Sequence, residues 1–97
     1  TGIAKYPAVT RDLSLVVPHA VLAGQIEEIF DQRGGNILES YQLFDIYEGA
    51  QIEKGFKSMA YSLVFRAHDK TLGENEISAA MKKIMNGLNG LGIELRS

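Results

Sequence analysis

The chain has no cysteine, and only two of its 97 residues are proline. The lack of cysteine excludes disulfides, thiolate metal sites and a thiol nucleophile, and it fits a reducing cytoplasm. No apolar run approaches the ~20 residues of a membrane helix, and no basic, apolar leader resembles a signal peptide. These absences exclude a disulfide-linked scaffold and a membrane-spanning helix.

Basic residues are not in excess either. Ten Lys and Arg stand against twelve Asp and Glu, which gives a net charge of -2. A protein that depends on phosphate contacts normally carries a basic field. Any role with RNA must therefore depend on a local surface, or on a larger assembly that supplies affinity.

Length and composition indicate one folded domain. The chain is 45% hydrophobic and 23% charged, which is typical of a folded soluble domain with a single core. No repeat or low-complexity segment divides it, so residues 1–97 are expected to form one domain. The first residue is Thr1 and not methionine, so we expect a fragment of a longer chain.

Hydrophobic periodicity divides the chain into six elements. Alternation predicts strands, and recurrence every three to four residues predicts helices. The glycines at 34–35 can end the first helix in the left-handed conformation, and "TLGE", with Thr71 and Glu74, reads as a capping box before the second. In the order strand, helix, strand, strand, helix, strand, the elements are 11–17, 22–32, 37–47, 58–66, the helix after 71–74, and 93–96.

This order predicts an α+β fold of the ferredoxin-like βαββαβ type, a four-stranded antiparallel sheet with two helices on one face. One sheet face is then covered and the other is free. The predicted covered-face residues are Leu13, Leu15, Val17, Phe44, Ile46, Met59, Tyr61, Leu63 and Phe65. The predicted free-face residues are Ser14, Asp45, Tyr47, Ser58, Ala60, Ser62 and Arg66.

The strand at 37–47 alternates imperfectly, because Tyr41 and Leu43 share parity with Asp45 and Tyr47. A bulge could switch faces there. Tyr47 would then be the largest ring on a face of small residues, which suits stacking by a nucleobase. Asp45 beside it could accept hydrogen bonds from the donors of a guanine edge. The alternative is that Tyr47 caps the sheet edge and Asp45 is a solvated acid.

Two arginines at the strand margins are further candidates. Arg11 and Arg66 could contact phosphates, and the alternative is that they pair with Asp12 or Asp69 as ordinary surface arginines. Two histidines without a third ligand make a poor zinc site. No nucleophile motif, Walker loop or GxGxxG pattern accompanies them, so neither metal binding nor independent catalysis is expected.

Four motifs in this order resemble one known family. They are "YPAVTRDLSLVV", "LFDIYEG", "GFKSMAYSLVF" and "TLGENEI", and the resemblance runs from Tyr6 to about Arg96. The chain resembles the ferredoxin-fold anticodon-binding domain at the C-terminus of the bacterial phenylalanyl-tRNA synthetase beta subunit.

The resemblance implies that the open sheet face binds the anticodon of tRNA(Phe). The first anticodon base, a guanine, would stack on Tyr47. Asp45 and Ser58 would approach the same base, and Ser14 would lie beneath the anticodon.

The same resemblance implies a cytoplasmic synthetase of two alpha and two beta subunits. The catalytic site would lie in the alpha subunit. ATP and magnesium would be used by the parent enzyme, with no cofactor in this domain.

Two other classes of function stay open. An ACT-like regulatory module has the same order of elements, but it usually binds small molecules at a glycine-containing loop after the first strand. Here that loop begins "PHAVLAG", a weak match. A protein-docking domain could use the same open face, and RNA would then have no effect on Asp45, Tyr47 or Ser58.

Overall fold

A computed structural model describes residues 6–49, 52 and 54–95. The order of elements is the one that periodicity predicts, and the boundaries move by a few residues. The elements are β1 (Val9–Pro18), α1 (Ala23–Arg33), a 3-10 turn (Gly35–Ile37), β2 (Leu38–Tyr47), β3 (Phe56–Phe65), α2 (Glu74–Asn89) and β4 (Glu94–Leu95). Arg96, the predicted end of the last strand, lies outside the described residues.

The four strands form one antiparallel sheet in the order β2-β3-β1-β4. β1 and β3 lie in the middle and pair along their full length, from Val9 opposite Phe65 to Pro18 opposite Phe56. Each helix connects two strands that are not neighbours, so the two strand–helix–strand units interleave. This arrangement confirms the predicted ferredoxin-like fold.

The core lies between the sheet and the helices. β1 buries every second residue from Leu13 to Val17, and β3 buries Met59, Tyr61, Leu63 and Phe65 on the same face, as alternation predicts. Ser58 and Ala60, on the other face of β3, are buried as well. Phe30 of α1 packs edge-to-face on Tyr61, with ring centroids 5.0 Å apart. Burial raises the pKa of Tyr61 to about 12, and Glu27 adds to the shift. The fully buried side chains are Tyr61, Phe30, Phe65, Leu15, Ile26, Met59, Leu63, Ile84, Leu88, Ile93 and Val17.

β2 follows the sheet with two register shifts, one between Leu38 and Ser40 and one between Leu43 and Asp45. Each shift inserts one extra residue, which moves the following residues to the opposite face. The covered-side positions of β2 are consequently spaced by three, two and three residues. They are Leu38, Tyr41, Leu43 and Ile46, opposite Phe65, Leu63, Tyr61 and Met59.

The prediction that Phe44 and Ile46 belong to the core is wrong, because both side chains are 54% exposed. Phe44 is the extra residue of the second shift and has no partner on β3 in the described ladder. Ile46 keeps the covered-side register opposite Met59. However, β2 is an edge strand with a neighbour on one side only, so Ile46 stays half open to solvent.

The predicted capping box at Thr71 and Glu74 is also wrong. α2 begins at Glu74, and Gly73 takes the N-cap position with an extended backbone. The amide of Gly73 donates to Glu76 Oε1 at 2.9 Å. The carboxylate that bonds back to the N-cap therefore belongs to Glu76, three residues after Gly73, which is the usual spacing in a capping box. Lys70 forms an ion pair with the same carboxylate.

The start of α1 uses a similar bond. The amide of Leu22 donates to Gln25 Oε1 at 2.8 Å. A glutamine three residues after the N-cap is a sequence signal for a helix start, and it was not among the predicted ones. At the other end, Gly35 takes the left-handed conformation with φ of 69°, as predicted for this pair of glycines. No helix among the described residues is long and apolar enough to cross a membrane.

Candidate nucleic-acid interface

The free face of the sheet presents side chains in rows that run across the strands. Directly paired residues on neighbouring antiparallel strands point to the same side and lie about 5 Å apart. Successive rows are separated by two residues, or about 7 Å along a strand. Two neighbouring rows, written in the order β1, β3, β2, are Val16–Ser58–Tyr47 and Ser14–Ala60–Asp45.

Asp45, Tyr47 and Ser58, which were predicted to contact one guanine, and Ser14, which was predicted to lie beneath the anticodon, all lie within these two rows. From the spacing of strands and rows, they occupy a surface on the order of 10 Å across. Asp45 and Tyr47 reach the free face because the register shift at Phe44 separates them from the covered-side positions before it. Their contact with RNA stays a prediction.

The two rows are low in the middle and higher at one edge. Tyr47 on the edge strand is 42% exposed, whereas Ser58 and Ala60 on the central strand β3 are 6% and 9% exposed. Small side chains thus form a floor beside a single phenol ring. A flat ligand can approach such a floor closely while its face contacts the ring.

The chemistry available on this surface is stacking and hydrogen bonding. The ring of Tyr47 supplies a stacking partner, and the carboxylate of Asp45 supplies acceptors only. The hydroxyls of Ser14 and Ser58 can each donate or accept. In the described part of the chain, no three His, Cys, Asp or Glu residues are grouped in a way that could hold a metal ion.

His19 connects the strand ends beside Tyr47. Its amide donates to the carbonyl of Gly55 at 3.0 Å, and its Nε2 lies 3.1 Å from the carbonyl oxygen of Phe56. The same nitrogen is 3.7 Å from Glu48 Oε1. These contacts tie the end of β1 to both sides of the connection between β2 and β3.

The two candidate arginines do not join this surface. Arg11 is paired with Leu63 on the covered side, and its Nη2 binds Glu74 Oε1 of α2 at 2.8 Å. Arg66 Nε lies 3.5 Å from Glu39 Oε1. The partners proposed from the sequence, Asp12 and Asp69, are therefore not the ones found.

Arg66 is also far from the phenol ring. It follows the last residue of β3, whereas Ser58, which pairs with Tyr47, lies eight positions earlier. At the rise of an extended strand, this separation is roughly 26 Å. A phosphate next to a base stacked on Tyr47 is out of reach of Arg66.

Two neighbours of Tyr47 were missing from the predicted site. Val16 completes the row of Ser58 and Tyr47, and its place on the free side follows from the alternation of β1. Gly49 lies two residues after Tyr47 and contacts its ring. The spacing of two along a strand was the available signal, but a glycine has no side chain to attract notice.

The fold and the open face together identify the class of protein. It is a ferredoxin-like domain in which helices cover one face of the sheet and the other face is free. Residues 4–96 match the family described as ferredoxin-fold anticodon binding domain. The chain belongs to this family.

Similar curated proteins are phenylalanine–tRNA ligase beta subunits of bacteria. The chain is 48% identical over 96 residues to that of Clostridium tetani, covering 98% of this chain and 12% of the relative. It is 40% identical over 95 residues to that of Symbiobacterium thermophilum, covering 98% and 11%. It is 42% identical over 88 residues to that of Bacillus subtilis, covering 91% of this chain and 11% of the relative. The chain thus spans about one eighth or less of the length of these relatives.

Among solved structures, MSL1 of Arabidopsis thaliana, determined by cryo-electron microscopy, has a similar fold. The TM-score is 0.56 at 15% identity, and the match covers 97% of this chain and 35% of the other. At this level of identity the likeness concerns the fold alone.

Proposed function

We propose that the open face binds the anticodon loop of tRNA(Phe), with the first anticodon base, a guanine, stacked on Tyr47. The observation that carries this proposal is the pairing register, which brings Tyr47 and Asp45 together opposite the small side chains of Ser58 and Ala60. The family match and the names of the relatives support the choice of ligand.

In this proposal each free-face residue has a separate part. The face of Tyr47 supplies stacking, which tolerates any base. Asp45 accepts from the N1 and N2 donors of guanine and so contributes discrimination. Ser58 and Ser14 add hydrogen bonds from the floor, where only small groups leave room for the base.

Arg11 and Arg66 would contribute only phosphate contacts with a longer RNA. Both are already engaged by carboxylates, Glu74 and Glu39. A phosphate would have to compete with these ion pairs. We therefore assign most of the binding to stacking and base contacts.

The proposal extends to the parent protein. The chain would form a single domain, residues 1–97, of a cytoplasmic phenylalanine–tRNA ligase beta subunit in an assembly of two alpha and two beta subunits. Catalysis with ATP and magnesium would take place in the alpha subunit, without a cofactor in this domain. Other tRNA contacts of the assembly would raise the effective concentration of the anticodon at this face, so a net charge of -2 is compatible with the role.

The test is an amide chemical-shift titration of the chain with a short RNA hairpin whose loop carries GAA. A hairpin with a scrambled loop is the control. We expect shifts at Ser14, Asp45, Tyr47 and Ser58 with the GAA loop only. Tyr47→Ala should leave the fold intact and weaken binding by about 1–3 kcal/mol, since it removes the stacking partner.

Ile46→Ala is the matched variant. Ile46 is an exposed apolar residue of the same strand, but it lies opposite Met59 on the other side of the sheet. We expect it to bind the GAA hairpin as the unaltered chain does. Equal binding by Tyr47→Ala and the unaltered chain would refute the stacking role.

A further inference from the structure

Gly49 leaves the space that the ring of Tyr47 occupies. A Cβ built on Gly49 would lie 2.6 Å from Tyr47 Cζ and 3.1 Å from Cε2, and closer still to the hydroxyl oxygen. Real side chains do not pack at 2.6 Å between carbon atoms, because the optimum is 3.5–4.0 Å. Any residue other than glycine at this position therefore collides with the ring as it stands.

The backbone of Gly49 does not itself require glycine. The described glycines with positive φ are Gly35, Gly55 and Gly92, so Gly49 is not among them. An alanine could adopt its backbone conformation without strain. The approach of the Tyr47 ring is thus the feature that a Cβ would disturb.

This contact defines how the ring is oriented. β2 ends at Tyr47, and the chain bends at Gly49, two residues later. The tip of the Tyr47 ring lies where a Cβ of Gly49 would be, so the ring packs against the backbone of the segment that leaves the strand. Tyr47 is nevertheless 42% exposed, so the ring offers solvent a large part of its surface, as stacking requires.

The chain on both sides of Gly49 is held in place. Its carbonyl accepts from the amide of Ile52 at 3.0 Å, and Ile52 is buried. On the preceding side, Tyr47 is paired with Ser58. A Cβ at Gly49 would therefore move the ring, whose tip is the free end of a rotatable side chain, sooner than the backbone.

We propose that Gly49 is a positioning residue for RNA binding: it allows the Tyr47 ring to lie against the backbone of residue 49, in the orientation in which a nucleobase can stack on it. This inference rests on the proposed function of the open face. It adds a residue that itself makes no side-chain contact with RNA.

The test compares Gly49→Ala with the unaltered chain. We expect a folded domain with little change in stability, and an affinity for the GAA hairpin reduced by about 3- to 30-fold, part of the stacking contribution. Gly24→Ala is the matched control. Gly24 is exposed, has no positive φ, and no atom would lie within 4 Å of its Cβ. The Gly24→Ala variant should therefore bind the GAA hairpin as the unaltered chain does.

A double-mutant cycle separates the positioning role from other effects. In a Tyr47→Ala background, Gly49→Ala should have no further effect on affinity. An equal loss in both backgrounds would overturn the inference, since Gly49 would then act independently of the ring. Unchanged affinity of Gly49→Ala, together with weakened binding by Tyr47→Ala, would overturn it while the proposed function stands.

The ring position can also be measured without RNA. We expect nuclear Overhauser contacts between the Tyr47 ring protons and the Gly49 α protons in the free chain. Their absence would overturn the inference even if Gly49→Ala failed to fold. If instead Tyr47→Ala left hairpin binding unchanged, the proposed function would fail, and the positioning role with it.

Discussion

Side-chain size is the main distinction among the residues of the open face. Ser58 and Ala60 are nearly inaccessible to water, and Tyr47 beside them is 42% exposed. A base that contacted this floor would gain both stacking and close packing. Stacking on an aromatic residue contributes about 1–3 kcal/mol per base, whereas an exposed ion pair contributes about 0–1 kcal/mol. We therefore expect the ring to contribute more to affinity for RNA than any single surface charge.

In the proposed complex, the carboxylate of Asp45 would govern the preference for one base over another. Asp45→Asn replaces an acceptor-only group with one acceptor and two donors. We expect the preference for a GAA loop over an AAA loop to fall more than the overall affinity does. The measurement is the ratio of dissociation constants for the two hairpins.

Asp12→Asn is the control for charge. Asp12 pairs with Ser62 on the same face, one row beyond Ser14, and its loss removes the same charge. It should raise affinity for both loops alike, because less negative charge faces the RNA. A guanine preference that Asp45→Asn leaves intact would contradict the role of that carboxylate.

At the scale of elements, β2 determines whether the site exists. Its register shift after Leu43 allows the strand to pack Tyr41 and Leu43 against the core and still present Asp45 and Tyr47 on the opposite face. A strand with strict alternation could satisfy only one of these demands. The same shift leaves Phe44, an aromatic residue, exposed to solvent and outside the regular pairing.

The N-terminus of α2 provides a stability test that does not involve the open face. The amide of Gly73, and secondly Lys70, hold the pKa of Glu76 below its ordinary value of 4.5. A lowered pKa in the folded state stabilises the fold above pH 4.5, and this contribution is lost as the pH falls through the folded-state pKa. Glu76→Gln should therefore lose less stability than the unaltered chain between pH 7 and pH 3, as measured by urea unfolding.

Lys70→Gln separates the two causes. It removes the ion pair and keeps the hydrogen bond from Gly73, which is the larger cause of the shift. Its loss of stability in acid should lie between those of Glu76→Gln and the unaltered chain. The hydrogen bond to Glu76 and its charge raise the pKa of Lys70 above its ordinary value of 10.5. The unaltered chain should therefore lose some stability as the pH rises above 10.5. Both variants lack the ion pair, so neither should show this loss. Identical acid profiles for Glu76→Gln and the unaltered chain would disprove the role of this cap.

For the whole molecule, the balance of charge limits how RNA can be bound. A protein that neutralises six to ten phosphates loses about 10³–10⁵ in affinity between 50 mM and 200 mM salt. This chain carries a net charge of -2, and both candidate arginines are paired with glutamates. Binding by its open face should therefore depend mainly on stacking and base contacts.

We expect the affinity for the GAA hairpin to fall less than about tenfold over that range of salt, which corresponds to one or two phosphate contacts. The measurement is a titration at several salt concentrations. Arg66→Gln and Arg11→Gln should leave the salt dependence nearly unchanged. A loss of a hundredfold or more would show that phosphate contacts dominate and would contradict the assignment of binding to Tyr47 and Asp45.

The order of the elements, and through it the fold, follows from local patterns in the sequence. Alternation in β1 and β3 and helical periodicity in between are local patterns, and each follows from which side of a single element faces the core. The free-face positions of Ser14 and Ser58 follow from the same local rule. The spacing of two between Asp45 and Tyr47 predicts by the same rule that they share this face, and the family motifs added the expectation that both contact a guanine.

Features that depend on pairing between distant segments do not follow from such local patterns and are known from the folded structure. The exposure of Phe44 and Ile46 reflects a bulge and an edge position in β2, and neither follows from the period of the strand alone. The pairing of Arg11 with Glu74 joins residues that meet only when α2 packs beside β1. The contact of the Tyr47 ring with Gly49 likewise depends on the positions of both residues in the fold. The periodicity of a segment indicates on which face of its element a residue lies. A contact between two segments depends in addition on their register and distance, which exist only once the whole chain has packed.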